Sequence, residues 1–291
     1  MNNPDSISII LPAKNEAGNL VDLLPQLKSL YPLAEILVIN DGSTDNTAQV
    51  AIDAGVKVIS HPYNQGNGAA IKTGARNATG ELLVFMDADG QHDPADIAAL
   101  LEQLKHGYDM VVGARSKRTH ATFLRFCGNS FFNRLASSMT GHKIEDLTSG
   151  FRAVKADKFR KFLYLLPNGF SYPTTSTMAF FRSGFPVAYI PIHAGKRGGK
   201  SHISLIKDGP RFFMIILKIG AFFSPMRLFL PISLFLFLTG LSYYGYTYYF
   251  EHRFTNMSAL LFSTSILTFL MGIISEQVSS LHYKNSDDNQ Q

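Results

Sequence analysis

The sequence predicts an α/β fold, a mainly parallel sheet with helices on both sides, followed by a transmembrane helical hairpin. Three observations predict it. Short apolar runs bounded by turn residues alternate with helical patterns through the first two thirds of the chain, the alternation that builds parallel sheets. Polar side chains of ligand type gather just after those runs, where open sheets place their binding sites. The remainder is nearly free of charge and rich in Phe, Leu and Tyr.

Ser6–Leu11 reads as the first strand, ended by Pro12, and the loop Pro12–Asn19 leads to a helix from about Leu20. This loop lacks a glycine fingerprint, so a dinucleotide-type pyrophosphate cradle is not supported. Glu35–Asn40 is a second buried strand and opens into Asp41–Thr47. Its Ser, Thr and Asp residues suit capping of a helix through Val50, whereas Asp41, directly at the strand end, is assigned to a ligand, a base or a ribose. Val56–Ser60 is a third strand. The turn His61–Gly68 and an Ala-rich helix to Ala78 follow, with Lys72 and Arg76 four apart on one face. They suit phosphates or simply a solvated face.

Leu82–Met86 is a fully apolar strand running straight into Asp87 and Asp89. Two hard carboxylates one residue apart on the rim suit Mg²⁺ or Mn²⁺, which usually also takes phosphate oxygens from a substrate. The plainer role is a solvated acidic turn. Asp93 as cap and Pro94 in the first turn open a helix to about His106. Asp109–Arg115 is another strand, with Arg115 on the same rim. A helical pattern covers Thr122–Thr140, and Ile144–Val154 is polar at the front and strand-like behind. Helices near Ala156–Leu165 and Thr174–Ser183 precede the strand Val187–Pro191. The glycine-rich loop His193–His202 carries Lys196, Arg197 and Lys200, which describe a phosphate clamp or a tether to anionic headgroups.

The net charge of +5 comes without basic runs or interleaved aromatic platforms, so nucleic acid is not the partner indicated. An anionic membrane surface and phosphorylated substrates account for it. The single Cys127 excludes an internal disulfide and fits a reducing compartment. No basic cap precedes the short apolar run Ile7–Leu11, so a signal peptide is not expected and the polar two thirds should stay in the cytosol. Leu228–Phe250 has no charge and, at 1.5 Å per residue, measures about 34 Å, enough to cross a bilayer. Tyr243, Tyr244, Tyr246, Tyr248 and Tyr249 crowd its far end like an interfacial belt. After Glu251-His252-Arg253, Met257 to about Ile274 returns as a second span. Arg211, Lys218 and Arg227 flank the entry while only Arg253 lies between the spans, which places both termini in the cytosol. The organisation expected is a soluble domain over 1–202, interfacial helices over 203–225, two transmembrane helices over 226–276 and a polar tail over 277–291. Gly240 and Gly245 permit helix association and hence a homo-oligomer.

Five stretches now stand in order: Pro12-Ala13-x-Asn15-Glu16, Asp41-Gly42-Ser43-Thr44-Asp45, the Asn64–Gly68 turn, Asp87-Ala88-Asp89-Gly90-Gln91-His92, and Thr148-Ser149-Gly150-Phe151-Arg152. Together they resemble the inverting glycosyltransferases of the dolichyl-phosphate mannosyltransferase type, over about residues 6–205. The paired C-terminal spans are similar to the membrane-anchored polyprenyl-phosphate branch. The resemblance implies a GT-A fold and transfer of one sugar from a UDP- or GDP-linked donor to a polyprenyl phosphate, with Mg²⁺ or Mn²⁺ as cofactor. It implies that Pro12, Ala13, Asn15, Glu16 and Asp41 line the nucleoside pocket, joined on the donor side by Gly68, Lys72, Asp87, Ala88 and Arg115. It further implies that Asp87, Asp89 and Gln91 organise the metal and diphosphate, and that Arg115 and Arg197 meet phosphates. Asp146 is expected as a base or an orienting carboxylate, and Lys196, Arg197 and Lys200 as the holders of the lipid phosphate. Asn40 departs from the pattern, which more often has Asp before Asp41.

Overall fold

A computed structural model describes residues 6–115, 123–169, 171–192, 214, 217, 220–221 and 224–288, without the side chains of 123–129, 131 and 281–288. The chain orders as β1 (Ile7–Ala13), α1 (Ala17–Leu30), β2 (Glu35–Asn40), α2 (Thr47–Asp53), β3 (Lys57–Ser60), α3 (Asn67–Asn77) and β4 (Leu82–Phe85). It continues as α4 (Asp96–Lys105), β5 (Met110–Arg115), α5 (Phe123–Thr140), β6 (Arg152–Lys155), α6 (Ala156–Arg160), α7 (Tyr172–Arg182) and β7 (Val187–Ile192). Two long helices follow, α8 (Pro225–Glu251) and α9 (Asn256–Asp288). The chain divides into two compact units, one of 1–134 and 142–212, the other of 135–141 and 213–291.

In the first unit a seven-stranded sheet runs β3-β2-β1-β4-β6-β5-β7. All neighbours are parallel except β6, which lies antiparallel to both β4 and β5. The mainly parallel sheet is as expected; the reversed strand in its middle is not foreseen by the local pattern. The sheet is covered on both faces. Ile9 and Leu11 of β1 pack with Leu20, Leu23, Leu24 and Leu27 of α1 and with Ile97, Leu100, Leu101 and Leu104 of α4. Their i, i+3, i+4, i+7 spacing gives each helix one apolar stripe for that face. Ile10 points the other way, onto α3, where a Cβ on Gly74 would collide with its side chain. Alanine and glycine on α3 are therefore what lets a helix lie this close to β1.

Several element ends differ from expectation: β1 runs through Pro12 to Ala13, α1 begins at Ala17 rather than Leu20, and two further differences have a visible cause. α4 begins at Asp96 rather than Pro94, because the Asp93 carboxylate accepts the Ala95 N–H at 2.9 Å and holds a turn ahead of the helix. α6 stops at Arg160 rather than Leu165, since Phe162, Leu163, Leu165 and Leu166 each bond three residues back. That is the tighter 3₁₀ geometry of a helix end.

In the second unit α8 and α9 form an antiparallel-type hairpin whose apolar lengths each suffice to cross a membrane. The Ser233 hydroxyl donates to the Ser265 carbonyl at 3.0 Å and the Ser265 hydroxyl donates back to the Ser233 carbonyl at 2.9 Å. The Glu276 carboxylate accepts the Met226 N–H at 3.2 Å, at the positive end of α8. The same end of α8 caps 135–141: Arg227 donates to the Ser138 carbonyl at 2.7 Å and Ser224 Oγ to that of Met139 at 3.0 Å. α9 continues to Asp288, through the polar residues expected as a tail. The interfacial helices expected over 203–225 fall largely outside the described residues.

Candidate active site at the carboxyl rim of the sheet

Three loops leave the sheet on one rim, after β1, β2 and β4, and their sequences explain how they hold together. Asn15 sits at a φ of 56°, a left-handed turn that asparagine tolerates better than most residues. There its Oδ1 accepts the Thr44 N–H at 2.8 Å, while its own N–H donates to Ser43 Oγ at 3.0 Å. The Glu16 N–H donates to Thr47 Oγ1 at 2.9 Å and the Ala17 N–H to Asp45 Oδ2 at 3.3 Å. Burial pushes the Asp45 carboxyl up, yet the hydrogen bonds from Thr47 and Ala17 outweigh it and hold it below its ordinary value. The loops that carry Asn15, Glu16 and Asp41 are thus stapled into one edge, beside Pro12 and Ala13 at the end of β1. Asn40, where the resembled pattern more often has an acid, bridges Ser60 Oγ at 3.1 Å and the Ser43 N–H at 3.0 Å. An amide, with a donor and an acceptor, satisfies both neighbours at once.

Asp87 and Asp89 follow β4, and Ala88 between them is buried. Phe85 pairs with Arg152 on the antiparallel β6, so two residues on Asp87 comes opposite Gly150. A Cβ on Gly150 would stand 2.9 Å from Asp87 Oδ2, which makes glycine the residue that leaves room for this carboxylate. The Gln91 N–H donates to Asp89 Oδ1 at 3.2 Å and folds the acidic turn back on itself. His92 is buried with its ring stacked on Phe151 at 4.8 Å, and its Nδ1 has no hydrogen-bond partner among the described residues. Burial pushes its pKa down, against the charges of Asp87 and Asp89.

Arg115 and Asp146 form a paired unit on the same rim. Arg115 Nε donates to Asp146 Oδ2 at 2.8 Å and its Nη2 to Oδ1 at 3.0 Å, a bidentate fork. The Arg115 and Thr148 N–H groups and the Thr148 hydroxyl also donate to Asp146. Asn133 on α5 clamps the flanking backbone, donating to the Glu145 carbonyl and accepting the Leu147 N–H. Burial pushes the Asp146 carboxyl up, but the hydrogen bonds and charge of Arg115 prevail and hold it below the usual range. Of the two roles expected for Asp146, these contacts fit the orienting carboxylate; a carboxylate with this many donors is a poor proton acceptor.

Gly68 and Lys72 are placed otherwise than expected. The Gly68 and Ala69 N–H groups at the start of α3 donate to the Gly169 and Asn168 carbonyls at 3.1 and 2.9 Å. A Cβ on Gly68 would clash with the Pro167 carbonyl. Lys72 donates to the Leu166 carbonyl at 3.1 Å and to Asn168 Oδ1. Gly68, expected on the donor side, and Lys72, expected toward phosphates or solvent, are both engaged by the 166–169 turn in this structure. Lys196, Arg197 and Lys200 lie outside the described residues.

Several rim residues escaped the sequence reading. His61 bridges Asp41 and Thr73, and its position directly after β3 was the available signal. Arg152 is fully buried; it donates to the Pro173 carbonyl at 3.1 Å, to Ser176 Oγ at 2.8 Å, to Thr177 Oγ1 at 3.1 Å and to the Ser149 carbonyl. It ties α7 to the strand that backs Asp87. The Tyr172 hydroxyl donates to the Gly150 carbonyl at 3.0 Å from the same helix. Burial first, and then the Asp87 charge, raise the pKa of that hydroxyl.

A GT-A-like α/β domain with an acidic pair at the central rim, on a chain that ends in two membrane-length helices, defines a glycosyltransferase with a membrane-associating hairpin. The chain belongs to glycosyl transferase family 2, whose model matches residues 8–163, and residues 224–281 match the GtrB C-terminal hairpin. It is similar to glycosyltransferase AglJ of Haloferax volcanii, at 28% identity over 97% of this chain and 96% of that one. It is also similar to the uncharacterized protein MJ1222 of Methanocaldococcus jannaschii, at 32% identity over 55% of this chain and 69% of that one. Among solved structures, glucosyl-3-phosphoglycerate synthase from Mycobacterium tuberculosis in complex with Mn²⁺, UDP and phosphoglyceric acid superposes with a TM-score of 0.61. That match has 20% identity and covers 74% of this chain and 78% of the other, a likeness of fold.

Proposed function

We propose that this protein moves one sugar from a nucleoside-diphosphate sugar to a polyprenyl phosphate, with inversion, at the cytosolic face of a membrane. The observation that carries the reading is the joining of the acidic pair at the β4 rim to the GtrB-type hairpin on one chain. The hairpin keeps the enzyme on the bilayer that holds a lipid acceptor. The stapled loops of Asn15, Glu16 and Asp41 offer an edge for the nucleoside. A solved relative of the same fold binds Mn²⁺ with UDP-glucose, and a UDP- or GDP-linked donor is the class assigned here.

The residues present fit a divalent cation: two carboxylates, one of them cradled against Gly150, and the Gln91 amide are hard oxygen donors of the kind Mg²⁺ and Mn²⁺ take. Such a cation supplies neutralisation of charge that grows on a leaving diphosphate. The chain's own residues do the rest. Arg115, kept in place by Asp146, presents its remaining donors to phosphate oxygens. An acceptor phosphate oxygen attacks the anomeric carbon from the face opposite the leaving group, and the bond to the nucleoside diphosphate breaks in the same displacement. The acceptor is already anionic at neutral pH and needs no strong base, so an Asp146 spent on Arg115 is consistent with this route. Lys196, Arg197 and Lys200 are assigned to the lipid phosphate.

The test is a donor panel with a short polyprenyl phosphate and Mn²⁺, reading sugar in the lipid extract and the nucleoside diphosphate released. Asp89→Ala should lower product at least about a hundredfold, the scale of losing electrostatic stabilisation of a leaving group, with membrane insertion unchanged. Full activity of that variant would remove the metal from the proposal.

A further inference from the structure

The carboxylate of Asp41, at the end of β2, already holds three donors. Oδ1 accepts from His61 Nδ1 at 2.7 Å and from the Gln65 N–H at 2.8 Å, and Oδ2 accepts the Gly66 N–H at 2.8 Å. His61 is fixed from two further directions, by Thr73 Oγ1 at 2.9 Å from its Nε2 and by its own N–H on the Asn40 carbonyl at 2.9 Å. With Nδ1–H turned to the carboxylate, the ring is held on its far side by Thr73 Oγ1 through Nε2. A carboxylate has about four acceptor positions. Both on Oδ1 are taken and, among the described residues, one on Oδ2 is left, on a side chain only 6% exposed.

We propose that His61 and Thr73 lock Asp41 so that it offers the donor's nucleobase a single acceptor position, and that this selects a uracil-type base over guanine. The inference rests on the reading above, that this rim takes a nucleoside-diphosphate sugar. A uracil or thymine edge presents one ring N–H between two carbonyls, and one acceptor satisfies it. Guanine presents two adjacent donors, its ring N–H and exocyclic amine, and one of them would be left unpaired against a filled carboxylate. Cytosine and adenine turn a ring-nitrogen lone pair toward the same edge, which repels an anion. An unpaired polar group in a buried contact is what separates ligands most strongly. His61 is a positioning residue in this scheme: it reaches the base through Asp41.

The experiment is calorimetric titration of the full chain in detergent, with Mn²⁺, against UDP, thymidine diphosphate, CDP, GDP and ADP. UDP or thymidine diphosphate should bind at least about tenfold more tightly than the other three, a discrimination of the size one unmet hydrogen bond produces. GDP, CDP or ADP binding as tightly as UDP overturns the base selection alone. Failure of all five to bind overturns the donor reading as well. His61→Asn keeps a donor where Nδ1 stands and should retain the preference. His61→Phe fills the volume without either hydrogen bond; UDP affinity and the preference over GDP should both fall about tenfold, with the KM for lipid acceptor unchanged. A phenylalanine variant with unaltered preference, or an asparagine variant no better than phenylalanine, overturns the role of His61. If His61→Phe does not fold, Thr73→Val, which removes only the outer bond, must narrow the preference, and no narrowing overturns it equally.

Discussion

Asp146 shows how one residue's neighbours decide its chemistry. Three of its contacts come from Arg115 and two from Thr148. Its carboxyl titrates below its ordinary value of 3.8 when folded. A folded value lower than the unfolded one means the pair stabilises the domain in full above about pH 4 and loses that contribution as pH falls through the folded value. Asp146→Asn leaves Arg115, whose side chain is 32% exposed, without its counter-charge. The full chain in detergent should lose about 2 kcal/mol at pH 7, less than a fully buried pair because water still reaches the guanidinium. The gap to the wild type, read from urea midpoints, should close as pH drops from 4 toward 2. A gap that is absent at pH 7, or that persists into acid, would contradict the pairing.

Among elements, the hairpin gives the cleanest case. Ser233 and Ser265 exchange hydroxyl-to-carbonyl bonds and their Oγ atoms lie 3.3 Å apart, on helices that have little hydrophobic reason to associate inside lipid. Ser233→Ala and Ser265→Ala should each cost about 1 kcal/mol, the upper part of the range for such bonds. The double variant should cost less than the sum, because both lose one shared unit. Unfolding of the solubilised chain by increasing mole fraction of dodecyl sulphate measures this; strict additivity would mean the serines act apart. These helices were plain in the sequence, since length and apolarity are local properties. So were β2 and β4 and the polar residues at their ends, because buried parallel strands read as unbroken apolar runs. The reversed direction of β6 was not, as nothing in Arg152–Lys155 distinguishes it; pairing with β4 and β5 sets it. The carbonyls that occupy Gly68 and Lys72 come from residues 166–169, nearly a hundred positions away. Asp146 reads from the sequence as a base or an orienting carboxylate alike, and the Arg115 fork, 31 positions away, favours the second. What the sequence withheld was mostly which donor meets which acceptor across such distances.

For the whole molecule, the assigned chemistry needs the domain and the acceptor phosphate on one side of the bilayer. In the proposed topology the hairpin spans the bilayer and puts both chain ends on the same side, and charge points to the cytosolic one. Arg211, Lys218 and Arg227 precede or open the first span, whereas Arg253 alone sits between the spans, and the retention of Lys and Arg on the cytoplasmic side is the basis of the orientation proposed. A cysteine-free background made by Cys127→Ser allows single reporters at Asp53, exposed on α2, and at Asn256, exposed at the start of α9. In intact cells a membrane-impermeant maleimide should label Asn256→Cys directly and Asp53→Cys only after permeabilisation. The opposite pattern would put the domain outside, away from cytosolic nucleotide sugars, and the proposed reaction would lose its donor. Labelling of both sites from outside would show that the hairpin does not span, and the acceptor would then have to be sought in water.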